Sequence, residues 1–358
     1  MPSLKEIKGR INSISSTLAI TSAMKMVAAA KLQKAQMAIQ NMLPYERRLY
    51  SMLVDLMGAM NISAAASEDG SVRGSGSAER GFDQSGDRLS LSNRHDLAGM
   101  DGAYSLMAQR QVHRVAIVAF ASNSSLCGAF NSNAIREATA VINEYRASGL
   151  RDSDIVVYSV GRKMAEAMRK LGFPSPADFT KMSDSPSYEA ASALAQELLD
   201  GFVSGRFDKV ELVYNHYKST SSQPTIRQTY LPLSLADATA DIQVGKITDS
   251  ASESDTNRGA EPVGAPVVRQ GSPTTEDLIV EPSKEALIAT LLPKVIRLRI
   301  FTTLLDSAAA EHAARTVAMQ LATDNGNDLL QELTLEYNKG RQQKITSEIL
   351  DLVGGSMQ

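Results

Sequence analysis

Few residues in this chain are typed and spaced for chemistry. The stretch Ser122 to Asn131 (SNSSLCGAFN) follows an apolar run and precedes a helical one, the place where α/β enzymes set their nucleophiles. Cys127 there can act as a thiol nucleophile favoured by a helix N-terminus. The plainer reading is a small buried residue in a tight turn, since no histidine is patterned nearby as a base. Gly161-Arg162-Lys163 lacks the spaced glycine that cradles phosphates, and no GxGxxG follows the first strand. His95, His113, His216 and His312 show no metal-ligand spacing. Arg315, Arg341 and Lys344 stand among Ala, Gln and Thr, as surface charges or as hydrogen-bonding groups for a partner. The residues therefore nominate no catalytic, cofactor-binding or metal-binding group.

The elements around that stretch alternate. Val112 to Phe120 reads as a strand, Asn131 to Arg146 as a helix, and Asp154 to Val160 as a second buried strand. A helix over Arg162 to Leu171 ends at Gly172 and Pro174, and another covers Tyr188 to Phe202. Val210 to Tyr217 and Thr225 to Leu231 read as strands around the turn Ser219 to Ser222, as in a hairpin. Strand alternating with helix predicts a small α/β sheet with right-handed crossovers.

The two ends of the chain are of another kind. Ser283 to Val353 is rich in good helix formers, with Ser283 as start and Gly354 as stop. At about 1.5 Å per residue, such a helix is roughly 105 Å long. It must leave the globule, and something must cover its apolar face. The cover is a seam at the N-terminus: Leu4, Ile7, Ile11, Ile14, Leu18, Thr21, Lys25, Ala28, Leu32, Ala35, Ile39 and Met42. Strict alternation by three and four is the coiled-coil period, so the spacing predicts an intramolecular antiparallel pair. Pro44 is expected to bend or interrupt the first helix, which fades near Ile62.

Composition bounds the rest. Net charge is −3, which implies no general attraction to nucleic acid. Aromatics are 5%, Trp is absent and Met is 15, a mixture suited to helix packing. No apolar window spans a membrane, and no secretory h-region opens the chain. One cysteine excludes an internal disulfide and fits a reducing, cytoplasmic compartment. Met1 to Arg48 carries eight basic residues against two acidic ones, a solvated face or a surface for an acidic partner. Ser63 to Ala108, with nine Ser and seven Gly, and Gly245 to Glu276, with 15 of 32 residues Ser, Thr, Gly or Pro, read as loops or disordered insertions. The expected organisation is a long helix over 1–62, an insertion over 63–108, an α/β domain over 109–244, an insertion over 245–276, and a long helix over 277–358.

Three blocks resemble the γ subunit of F-type, proton-translocating ATP synthases. They are LKEIKGRINSISSTLAITSAMKMVAAAKLQKA (Leu4 to Ala35), AEHAARTVAMQLAT (Ala310 to Thr323) and LTLEYNKGRQQKITSEILDLVGG (Leu333 to Gly355). The resemblance implies a small Rossmann-like α/β domain between two helices that form a rotating central shaft, with no active site and no cofactor. It implies as partners the α and β subunits of the catalytic head, subunit ε and the c-subunit ring, and no nucleic acid. Membrane association, through the complex alone, would be peripheral, on the cytoplasmic face of a bacterial inner membrane.

Carried onto this sequence, the resemblance places Met24 and Lys25 where the shaft meets the acidic lever of β. Arg341 and Gln342 fall where a loop catches the turning helix. Arg315, Thr346 and Glu348 match positions tied to coupling. Ile345, Ile349, Leu352 and Val353 fall in an apolar bearing, and Glu281, in LIVEP, in the foot near the c ring. Leu278 and Val280 replace the usual aromatic-rich segment before that Glu-Pro, and SNSSLCG replaces the usual S-D-R-G-L-C-G turn. Chloroplast members carry a thiol-controlled insertion in about the place of Gly245 to Glu276. Here that segment has no cysteine, so a dithiol switch within the chain is excluded, and a steric brake or an inert loop remains. A thiol enzyme using Cys127 and a static coiled-coil scaffold are the competing classes.

Overall fold

The computed structural model describes residues 3–68, 106–107, 110–233, 281 and 283–355, with backbone alone for 57–68, 284–285, 351 and 354–355. Helix α1 (Leu4–Glu68) and the last helix, α6 (Lys284–Gly355), are 65 and 72 residues long. Between them lie β1 (Val115–Phe120), α2 (Phe130–Ala147), β2 (Ile155–Val160), α3 (Arg162–Lys170), α4 (Thr180–Asp184), α5 (Tyr188–Val203), β3 (Lys209–Asn215) and β4 (Thr225–Leu231). The sequence pattern did not predict α4, which is only five residues long. The sheet order is β2-β1-β3-β4, with β1 parallel to both neighbours and β4 antiparallel to β3.

The seam forms as expected. All twelve predicted seam positions are buried or half-buried against α6. The two interior glycines of α6 make the close contacts: a Cβ on Gly326 would stand 2.6 Å from a Leu18 methyl, and one on Gly340 3.1 Å from a Leu4 methyl. Both glycines and both leucines are fourteen residues apart, two heptads, which sets an antiparallel register. Next along the seam from Gly326 and Leu18, Thr323 Oγ1 donates to Thr21 Oγ1 at 3.0 Å.

Two expectations for α1 are corrected. Pro44 lies inside an unbroken helix. Pro44 and Gln40, whose carbonyl loses its helical donor, are both exposed, so water can replace that donor, while seam packing on both sides holds the axis. The helix also passes Ile62 and runs on to Glu68. The far end of the first insertion is likewise structured: Leu106 is buried, and its carbonyl accepts from Leu233 N at 3.0 Å. Residues 69–105 and 234–280, where the disorder expectations fall, lie outside the described residues.

The sheet has a core on each face. Ala116, Val118 and Phe120 point with Tyr158, Leu212 and Tyr230 toward α5 and the lower parts of α1 and α6, where Leu53, Leu292, Val295 and Ile296 meet them. Val115, Ile117 and Ala119 point the other way, onto α2 and α3. Near-continuous apolar strands are what a sheet covered on both faces requires. Gly161 makes the sharp β2–α3 turn with φ +96°, and a Cβ there would lie 2.0 Å from the Ala121 carbonyl oxygen. One buried charge faces α2. Glu211 accepts from Tyr145 Oη at 2.6 Å, Lys209 Nζ at 2.6 Å and Arg227 Nε at 2.7 Å. Burial alone would raise its pKa, but these donors hold it below the ordinary glutamate value.

Candidate partner-binding surfaces

Leu4, at the start of α1, lies against Gly340, so α6 continues past its partner helix as a single overhanging strand of helix. Every residue from 341 to 350 is exposed. The overhang carries Ile345, Ile349, Leu352 and Val353, the last two 75% and 54% exposed, together with Leu350. An apolar stripe of that kind on a lone helix in water marks a surface that something else covers. Arg341 and Gln342 lie exposed at its root. Thr346 Oγ1 donates back to the Gln342 carbonyl at 2.9 Å, and Lys344 Nζ lies 3.7 Å from Glu348. Such exposed pairs contribute at most about 0.5 kcal/mol, so they leave these side chains free to re-pair.

A second surface lies where the helix pair meets the loops at the carboxyl ends of the strands. Met24 and Lys25 are half-buried, and Met24 lines a cavity of about 290 Å³ with Lys31, Asp184, Glu311, His312 and Arg315. Arg315 is not the surface charge the sequence suggested. It is buried, with Nη2 on Glu311 at 2.6 Å and Nη1 donating to the Ser125 carbonyl at 2.7 Å. It is spent inside the chain, tying α6 to the loop after β1. Burial pushes the Glu311 carboxyl up despite that guanidinium. Burial, then the Lys31 and Arg315 cations, push His312 down to about 4.

That loop also disposes of Cys127. The thiol is buried under α6 with Phe130 and Ala310. Asn131 Nδ2 donates to Sγ at 3.1 Å, and Ser122 Oγ lies 3.7 Å away. Among the described residues no base touches it, and its burial favours the plain reading, a small buried residue in a tight turn, over the nucleophile. The crevice at the carboxyl ends of a doubly wound sheet is where such folds hold ligands. Here α6 occupies it. Among the described residues no cluster of His, Cys, Asp or Glu has metal-ligand geometry, and no helix is long and apolar enough to cross a membrane. Glu281, the remaining nominated residue, is exposed just ahead of α6, which Ser283 caps by accepting from Ala286 N at 3.1 Å.

Sequence reasoning missed the join of the domain to the shaft through Gln36, His216, Tyr217 and Asp306. Asp306 accepts from His216 Nδ1 at 2.6 Å and from Tyr217 N at 2.9 Å, and Gln36 Nε2 donates to Tyr217 Oη at 2.6 Å. A lone carboxylate within the apolar run FTTLLDSAAA was the available signal for Asp306. The Glu311–Arg315 pair was legible as an i,i+4 spacing.

A family model described as ATP synthase matches residues 3–357. An ATP synthase gamma chain of Phocaeicola vulgatus is 46% identical over 357 residues, covering 100% of each chain. That of Bacteroides thetaiotaomicron is 44% identical over 358 residues, again covering 100% of each. That of Flavobacterium johnsoniae is 35% identical over 356 residues, covering 99% of this chain and 98% of the other. Among solved structures, a chain from the Euglena gracilis mitochondrial ATP synthase OSCP/F1/c-ring assembly has the same fold, with TM-score 0.54 and 18% identity over 99% of this chain and 93% of that one. A chain from the rotor of the same enzyme has TM-score 0.51 and 18% identity, covering 96% and 98%.

Proposed function

This chain belongs to the ATP synthase gamma chain family, and from that premise we propose how it works: as the turning central stalk of a proton-translocating enzyme, itself non-catalytic. The observation that carries the reading is the overhang of α6, a helix that runs on past the start of α1 with its apolar stripe exposed. In this reading Ile345, Ile349, Leu352 and Val353 turn in an apolar sleeve of the α and β subunits. An apolar contact suits a bearing because the hydrophobic effect is non-directional and holds the helix without fixing its angle.

Work passes from shaft to catalytic sites as differential contact. Arg341 makes charge-assisted hydrogen bonds to an acidic or carbonyl-rich loop of β in some orientations and not in others, with Gln342 beside it. Met24 and Lys25 meet the acidic lever of β, and Thr346 and Glu348 tune the same contacts. A shaft that favours one β conformation over another shifts that site's nucleotide affinity by the same free energy. Arg315 acts from inside, by holding the loop after β1 on α6. At the base, Glu281 faces the c-subunit ring, with ε alongside. The complex is then held peripherally on the cytoplasmic face of a bacterial inner membrane.

Two measurements test this. The chain should copurify from native membranes with a nucleotide-binding hexamer. Replacing Arg341 and Gln342 together with alanine should lower coupled ATP synthesis several-fold while the purified subunit stays folded. Unchanged synthesis would remove the assigned catch, and a static scaffold predicts that result.

A further inference from the structure

A cavity of about 640 Å³ separates the outer edge of the sheet from the helix pair, between β4 and α1. Across that gap the domain reaches the shaft through the turn after β3. Tyr217 is the residue that makes the crossing. Its backbone N–H donates to Asp306 Oδ1 on α6 at 2.9 Å, and its phenol oxygen accepts from Gln36 Nε2 on α1 at 2.6 Å. Tyr217 packs against the cluster of Leu32, Ala309 and Ala313 and against that of Cys127, Phe130 and Ala310. One residue therefore reaches both long helices and packs against the cluster around Cys127. The alanine run of α6 leaves the room for it, since larger residues there would fill the groove. His216 Nδ1, 2.6 Å from Asp306 Oδ2, fixes the carboxylate from its other oxygen.

We propose that Tyr217 is the key that seats the α/β domain in the groove between α1 and α6, with Asp306 as its positioning acceptor, so that torque passes between domain and shaft without slack. This rests on the central-stalk reading. The core shared with Leu53 of α1 and Leu292, Val295 and Ile296 of α6 holds the lower part of the domain, and the Tyr217 seat adds attachments to both helices higher on the shaft. The seat is held by hydrogen bonds among half-buried groups that pack on the buried alanines Ala309, Ala310 and Ala313.

The experiment uses the assembled complex in vesicles. Tyr217→Ala removes the wedge, and Asp306→Ala removes the acceptor for the amide. Each should leave ATP hydrolysis near the parent rate while protons pumped per ATP hydrolysed fall several-fold. Tyr217→Phe keeps ring and amide, so its pumping ratio should stay near the parent's. Hydrogen exchange supplies the second readout: in Asp306→Ala the amides of residues 214–218 should exchange several-fold faster, with those around Leu18 and Gly326 unchanged. Faster exchange with an unchanged pumping ratio overturns the proposal. So does a proportionate fall of hydrolysis and pumping, which marks a merely structural residue. If the parent complex itself neither hydrolyses ATP nor pumps, the central-stalk reading fails instead.

Discussion

His312 is held neutral by position. Its ring is mostly buried, Nδ1 has no hydrogen-bond partner among the described residues, and Lys31 and Arg315 face it with positive charge against Asp184. Its pKa falls from 6.5 to about 4. Between those values the unfolded chain binds a proton that the folded chain refuses, so stability drops as pH falls from 6.5 toward 4. Glu311 beside it contributes the opposite slope, because its raised pKa keeps a proton on the folded state. Replacing His312 with glutamine should therefore leave the purified chain less acid-sensitive in that window. Thermal unfolding followed from pH 6.5 down to pH 4 checks it, and a slope equal to the parent's would show that another group titrates.

At the scale of the element, the seam tolerates small residues for different reasons at its two glycines. Glycine in a helix interior costs roughly 0.5–1 kcal/mol relative to alanine. At Gly340 an alanine methyl would meet only the end of the Leu4 side chain at 3.1 Å, near the start of α1, where that side chain can move. Gly340→Ala should therefore stabilise the chain by up to about 1 kcal/mol. At Gly326 the same methyl would lie 2.6 Å and 3.2 Å from two Leu18 atoms in mid-seam, so Leu18 must leave its seat. Gly326→Ala should gain nothing, and Gly326→Leu should destabilise by about 1–3 kcal/mol through overpacking. Denaturant midpoints for the three variants decide the matter; an equal gain at both glycines would mean that Leu18 is not held by the seam.

For the whole molecule, a dithiol switch within this chain is excluded by its chemistry. Its one cysteine is buried under α6, and a dithiol switch needs two thiols within bonding distance. A dithiol reductant should leave ATP hydrolysis by the complex unchanged. Deleting Thr248 to Ser272 separates a steric brake from an inert loop: without a proton gradient, release of a brake speeds hydrolysis, whereas an inert segment leaves it alone. The inert outcome is expected, because the segment is polar and carries no apolar pattern to hold it against a partner.

The sequence by itself determined the two long helices, their antiparallel pairing and the strands of the sheet, because each rests on periodicity, which is local and repeats. Leu4 to Met42 states its period twelve times, and the strands from Val115 and Ile155 are apolar nearly throughout. The tip residues Ile345, Ile349, Leu352 and Val353 were singled out by the resemblance alone, and their exposure is seen only in the folded chain. Three further things needed the tertiary structure. Pro44 reads as a break, yet the helix runs through it, because packing along the seam outweighs one lost hydrogen bond. Arg315 reads as a surface charge or a hydrogen-bonding group for a partner, yet α6 packs it inside against Glu311 and the Ser125 carbonyl. The seat formed by Gln36, Tyr217 and Asp306 joins residues 181 and 89 positions apart, and such distances leave no periodic trace. A hydrogen bond between distant segments is decided by where the fold brings them, and only the folded chain holds that information.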